Sequence, residues 1–207
     1  MSLTAQRRWA NELFARVAVA TLFTLLSMNL TADFIHTHRV TGLLLLISEA
    51  LVAVLTIVRR RAVIVDRSLG ATSVTMISLL GPALLRTSLG PGLFPDPLTA
   101  LISSAGLLAV IAGKIALGRS LGIVPANRGV VIAGPYTLVR HPIYAGYLLS
   151  HLAFACAYPT AWNITILAAT DVALVLRALC EERILATDRT YQLYCTRVAW
   201  HLVPGVF

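Results

Sequence analysis

Residues 134–146 read GPYTLVRHPIYAG, and the fold turns on how this stretch is read. Arg, His, Tyr, Gly and Pro crowd together here inside an otherwise apolar chain. Gly134-Pro135 punctuates the backbone ahead of it. Pro142 fixes its own φ and lacks an N–H, so it suits the first turn of a helix. His141 is thereby pushed toward extended geometry. Beyond Pro142, Tyr144, Tyr147 and His151 recur three and four residues apart and share one helix face. Gly146 lies on a neighbouring face and lets another group approach the backbone closely. The spacing predicts a polar loop running into a helix whose N-terminus is fringed by Arg140, His141 and Tyr144.

The surroundings of this stretch are those of a membrane protein. Of 207 residues, 57% are hydrophobic and 13% charged, with a mean hydropathy of +0.80. A soluble domain carries about 25% charged residues. Apolar runs cover residues 17–32, 40–58, 68–85, 98–117, 143–158 and 161–176. The last two form a tight hairpin through Pro159-Thr160, and both are short against the roughly 17–25 residues of a span. Gly81-Pro82 is expected to kink the third run, and Lys114 is placed to snorkel near the end of the fourth. Residues 181–198 read as an emerging helix with Tyr191, Tyr194 and Val198 on one face. The expectation is an all-α polytopic membrane bundle of about six spans. Residues 1–117 supply helices one to four and a possible substrate-access region. Residues 118–207 carry the motif, the hairpin and a C-terminal amphipathic helix.

Charge gives the orientation. The formal net charge is +8, nearly all from Arg. With six spans and a cytoplasmic N-terminus, Arg39 and Arg86 fall outside and the other basic residues inside, as the positive-inside rule asks. Both termini are then cytoplasmic, in the plasma or inner membrane of a prokaryotic cell. Residues 1–16 are basic and amphipathic; without a convincing cleavage site they read as the entry to a retained first span rather than a signal peptide. The basic residues sit at the ends of apolar runs, so they read as topology determinants and anionic-lipid contacts, not as a nucleic-acid surface.

Several site classes are disfavoured. Cys156, Cys180 and Cys195 lack C-x-x-C spacing, and His36 with His38 has no further ligands nearby, so no metal is expected. No dinucleotide fingerprint or P-loop occurs. Glu49 interrupts the second run; it reads as a packing residue ahead of a pathway group. Asp171 is placed either to orient a motif residue or to pair with a polar group inside the bundle.

Two more polar knots follow the motif: Cys180-Glu181-Glu182-Arg183, then Tyr191, Tyr194, Arg197 and Pro204. In the order G-x-Y-x-x-x-R-H-P-x-Y-x-G, an apolar hairpin, E-E, then Y-x-x-Y-x-x-R-V and a late Pro, residues 113–204 resemble the isoprenylcysteine carboxyl methyltransferase family. Phospholipid N-methyltransferases share part of the pattern. The resemblance implies an integral membrane enzyme that uses S-adenosylmethionine and methylates a lipophilic or prenylated acceptor. It carries Arg197 over as the family's late Arg.

The residue types suit that chemistry. Carboxylates and aromatic faces suit a sulfonium, an ammonium and a ribose. Glu181, Glu182, Tyr136, His141 and Tyr144 are the candidates, with Gly146 for close approach and backbone N–H groups near Gly134 and at the helix N-terminus. If the acceptor is a carboxylate, Arg140 or Arg197 should grip it; if it is an amine or phenol, Glu181 or Glu182 should take its proton. Each residue also has a plainer reading, such as an ion pair of the two Glu with Arg177 or Arg183. The alternatives for the whole chain are a non-catalytic membrane protein of the same fold that binds a lipid or partner, and a transporter, which no inverted repeat supports.

Overall fold

The computed structural model describes residues 40–86 and 91–207, and before them Val17, Thr21, Thr24, Met28 and Ile35 alone. Most of the run expected over 17–32, the loop with His36, His38 and Arg39, and the side chain of Glu49 lie outside the described residues. The fold is mostly helical. Helices α1 (Val40–Val58), α2 (Leu69–Leu80), α3 (Asp96–Leu117), α4 (Pro142–Ala157), α5 (Ala161–Leu185) and α6 (Arg189–Cys195) are joined by short turns and one two-stranded ladder. In that ladder β1 (Ile64–Val65) pairs antiparallel with β2 (Ala126–Asn127).

Helix direction alternates. Arg119 Nε donates to the Val58 carbonyl at 3.0 Å, which brings the ends of α1 and α3 together. Asp66 N–H donates to the Pro125 carbonyl at 3.0 Å, so α2 starts at that same end. Gly113 abuts Pro142 and Ile143, which puts the start of α4 there too. Far from it, Leu93 N–H bonds the Cys156 carbonyl at 2.8 Å, where α3 begins and α4 stops. Arg59, Arg60, Arg61, Arg67, Arg119 and Arg128 all belong to the first end.

Small residues let α3 and α4 pack closely, as helices do where no water drives association. A Cβ on Gly146 would stand 2.6 Å from the Gly106 carbonyl oxygen, and one on Gly106 would meet Gly146 O at the same distance. Around this crossing sit Val52, Val110, Ile143, Leu174 and Ala178. Asn163, with no exposed surface, ties the far end by bonding the N–H and C=O of Arg86 and the Tyr158 carbonyl.

Among the described residues, two helical stretches, Asp96–Ser120 and Ala161–Leu185, are long and apolar enough to cross a membrane. Of their apolar windows, 28% and 39% are buried. Leu101, Leu108 and Ile115, seven residues apart on α3, are each more than half exposed. Leu69–Leu84 and Pro142–Ala157 are shorter apolar helices.

Three expectations need correction. The predicted helix over 181–198 does not exist as one piece. α5 runs on through Glu181 and Glu182 to Leu185, because no Gly or Pro occurs between Pro159 and Pro204 to stop it. A turn then intervenes, and α6 restarts where Asp188 caps it by accepting from Thr190 N–H. Gly81-Pro82 does not kink a continuing helix. α2 ends at Leu80 and closes in a 3₁₀ turn over Gly81–Leu84, with Gly81 packed tightly on Thr170. Lys114 does not snorkel. It is 2% exposed, donates to Ser48 Oγ at 2.7 Å and to Ser48 O at 3.0 Å, and stands 5.5 Å from the centre of the Tyr147 ring.

Candidate functional site

The site forms where the start of α4 meets the last turns of α5. Arg177 and Glu181, four residues apart, share one face of α5 with Nε 3.5 Å from Oε1. Tyr144, in the first turn of α4, donates its hydroxyl to the same Oε1. The Arg177 guanidinium lies 5.3 Å from the centre of the Tyr144 ring and donates to the Ile123 carbonyl at 2.5 Å. Glu181 Oε2 is less engaged. It stands 3.9 Å from His141 Nδ1, beyond hydrogen-bond reach. One oxygen of Glu181 is therefore fixed and the other keeps acceptor capacity.

Glu182 is enclosed. Its Oε1 faces His141 Nε2 at 2.9 Å and His201 Nδ1 at 2.6 Å, and its Oε2 receives Arg140 Nη1 at 3.3 Å. Arg140 also donates from Nε to the Val198 carbonyl at 2.9 Å and from Nη2 to the Cys195 carbonyl at 3.4 Å. These carbonyls end α6, where a cation is favoured. The backbone repeats the join: Arg140 N–H bonds Trp200 O, and His141 N–H bonds His201 O, both at 2.9 Å. Motif, α5 and C-terminal segment are thus held by one carboxylate and two main-chain bonds.

Three tyrosines line the rim. Tyr194 donates its hydroxyl to the Tyr136 carbonyl at 2.7 Å. Burial pushes the Tyr194 phenol up to about 12 and raises those of Tyr136 and Tyr191 further. All three keep their protons at neutral pH. The Tyr191 hydroxyl is buried beside the Cys195 thiol.

These groups close one end of a cavity of about 1200 Å³. Arg140, His141, Tyr144, Arg177, Glu181 and Tyr191 line that end. The cavity continues along α3 and α4, past Leu107, Ser103 and Ser150, to Asp96 and Tyr158 at the far end of the bundle. Glu182 borders instead a separate hollow of about 490 Å³ with Arg183, Tyr191 and Gln192.

Of the residues singled out by sequence, Arg140, Tyr136, His141, Tyr144, Glu181 and Glu182 come together. Three stand apart. Arg197 is exposed and, among the described residues, forms no side-chain hydrogen bond or ion pair. It follows the end of α6 in a turn whose inward residue is Val198, so it does not join the cluster. Gly146 admits a close approach, but the group admitted is the α3 backbone. Gly134 has φ +62 and sits against Ala116, so its role is to turn the chain into the motif. Of the two plain pairings open to Glu181, the one with Arg177 forms, while Arg183 is exposed.

Sequence reasoning missed His201, whose position near the chain end carries no local signal. It also left Arg177 as a mere ion-pair partner. The i,i+4 spacing to Glu181 on a long helix was the available clue. Compared with known proteins, the chain matches no family model and no curated sequence.

Proposed function

We propose that this chain is an integral membrane methyltransferase, transferring the methyl group of S-adenosylmethionine to a lipophilic acceptor at the cytoplasmic face of the bilayer. The observation that carries this reading is the cavity of about 1200 Å³, charged and aromatic at one end and largely apolar along its length. A single-ligand pocket has roughly 300–1,000 Å³, so the volume accommodates a donor and an acceptor together. The motif order over 134–146, 181–182 and 191–204 supports it by resemblance to the isoprenylcysteine carboxyl methyltransferase family.

The residues fit the cofactor's chemistry. Glu181 Oε2 has room for an ammonium or a ribose hydroxyl. The Tyr136 and Tyr144 rings can face a cation. Tyr191 lines the same end of the cavity. When bound, S-adenosylmethionine supplies an electrophilic methyl group on a cationic sulfur. The chain's own part is to orient, to exclude water and to leave a charge-poor path for the acceptor's tail. Glu182, saturated by its protein partners, holds the site together rather than binding the cofactor.

The membrane reading extends to about six spans with both termini cytoplasmic. The alternating helix directions support it, as does the gathering of Arg59, Arg60, Arg61, Arg67, Arg119 and Arg128 at the cavity's polar end. Calorimetric titration of S-adenosylmethionine and S-adenosylhomocysteine into detergent-purified protein tests the proposal. Saturable binding of both, weakened at least tenfold by Glu181→Gln, is expected. No binding to folded protein would favour a non-catalytic lipid-binding membrane protein.

A further inference from the structure

Two turns beyond Tyr144 on α4, a second polar group faces the same cavity. His151 is 8% exposed, lines the cavity, and holds its Nδ1 2.5 Å from Asp171 Oδ1 on α5. Neither residue belongs to the cluster around Glu181 and Glu182. Seven residues of α-helix put His151 about 10 Å from Tyr144 along the axis.

The arrangement fixes the imidazole's chemistry. Asp171 is an acceptor only, so it selects the proton on Nδ1 and orients the ring. Nε2 then presents a lone pair, and it has no hydrogen-bond partner among the described residues. That lone pair is left for a ligand of the cavity that His151 lines. Ser103, Ser104, Tyr147 and Ser150 line the neighbouring wall, all uncharged. Lys114 lies further along, over the Tyr147 ring; at Nε2 itself a carboxylate meets a lone pair, whereas a neutral O–H group meets an acceptor.

We infer that His151 and Asp171 form a recognition site for a hydroxyl group, so that the ligand of the apolar cavity is an alcohol or phenol on a hydrophobic body. Asp171 acts as a positioning residue for His151. This rests on the proposed methyltransferase reading only in naming that hydroxyl as the methyl acceptor. In that reaction the oxygen would gain the methyl group as the donor's S–CH₃ bond breaks and its electron pair leaves on sulfur as a neutral thioether, while the O–H electron pair stays on oxygen and the proton passes to Nε2. The resulting imidazolium is balanced by Asp171.

The test needs no cofactor. 4-Dodecylphenol, its methyl ether and 4-dodecylbenzoate are titrated into the full chain in detergent, followed by intrinsic tryptophan fluorescence. The phenol should bind about tenfold tighter than the ether, the worth of one hydrogen bond of about 1.4 kcal/mol. His151→Phe and Asp171→Asn should bind both alike. Nitrogen-15 spectra of wild-type protein provide a second reading if either variant misfolds. The His151 Nε2 signal should move with the phenol and stay still with the ether. Equal binding of phenol and ether, tighter binding of the benzoate, or an unmoved Nε2 signal overturns the inference. Phenol preference in a protein that ignores S-adenosylmethionine would sink the methyltransferase reading and leave this site standing. Cofactor binding without phenol preference would do the reverse.

Discussion

His141 and His201 aim their rings at the same oxygen, Glu182 Oε1, from 2.9 and 2.6 Å. The first histidine belongs to the motif and the second to the last residues of the chain. A carboxylate oxygen has two lone pairs, and here both are engaged by the protein. Arg140 takes the other oxygen. Glu182 is therefore a clamp across three segments distant in sequence, whereas its neighbour Glu181 leaves an oxygen facing the large cavity. Adjacent residues on one helix have been given different work by the 100° turn between them.

Substitution by glutamine should separate the two. Glu182→Gln turns one acceptor oxygen into an NH₂ group that faces donors. It should cost about 2 kcal/mol of stability, the loss expected for hydrogen bonds to a charged group. Glu181→Gln keeps an acceptor for Tyr144 but takes the counter-charge from the buried Arg177, so it should also lower the thermal midpoint. The two variants should part in calorimetry, where Glu181→Gln weakens S-adenosylmethionine binding more than Glu182→Gln does. Equal loss of affinity in the two variants would refute the division of labour.

Much of this was legible in the chain. Pro142 announced the start of α4, Pro159-Thr160 the hairpin, and 40–58 the bounds of α1, since prolines and charges punctuate apolar helices sharply. The motif residues that meet at the site were also readable, because Tyr144 follows His141 by one turn. What could not be read was tertiary. His201 reaches the site through main-chain pairing with His141, which leaves no mark on local sequence. The same holds for the partner that Asp171 finds twenty residues away in His151. The boundary near 181 was misplaced because charged residues were taken to end a helix that continued past them.

The contact between α3 and α4 leaves no room for a side chain. A Cβ on Gly146 would come within 2.6 Å of Gly106 O and 2.9 Å of Val110 N, and backbone cannot step aside. Gly146→Ala should destabilise the protein by about 1–3 kcal/mol. Gly70, in the first turn of α2, has nothing within 4 Å of its added Cβ. Gly70→Ala should stabilise by about 0.5–1 kcal/mol. Opposite signs in thermal unfolding would separate crowding from propensity; the same sign in both would remove the packing argument.

Asp188 supports the turn between α5 and α6. Its carboxylate accepts from Asn127 Nδ2 and from Thr190 N–H, which hold its pKa below the ordinary 3.8. A depressed folded-state pKa stabilises above the unfolded value and is lost as pH falls through the folded one. The contribution is thus complete at neutral pH and fades below about pH 4. Asp188→Ala should cost about 1 kcal/mol at pH 7, as the loss of a helix cap does. The difference from wild type should shrink on acidification to pH 3. A difference that grows on acidification would show that the carboxylate is not the group responsible.

Arg140 and Arg197 answer the question of which arginine matters. Arg140 spans Glu182 and the carbonyls of Cys195 and Val198, joining the motif to α5 and to the end of α6. Removing it leaves a partly buried carboxylate short of a cation and two carbonyls short of a donor. Arg140→Ala should cost about 3 kcal/mol or more and abolish S-adenosylmethionine binding, with Arg140→Lys restoring little, since an ammonium cannot span that fork of acceptors. Arg197 is exposed, with no ion pair among the described residues. Arg197→Ala should change stability by less than about 0.5 kcal/mol and leave cofactor affinity as it was. If Arg197→Ala instead lowers turnover at unchanged affinity, the turn after α6 must swing this side chain inward when the acceptor binds, and Arg197 acts in a closed form of the site.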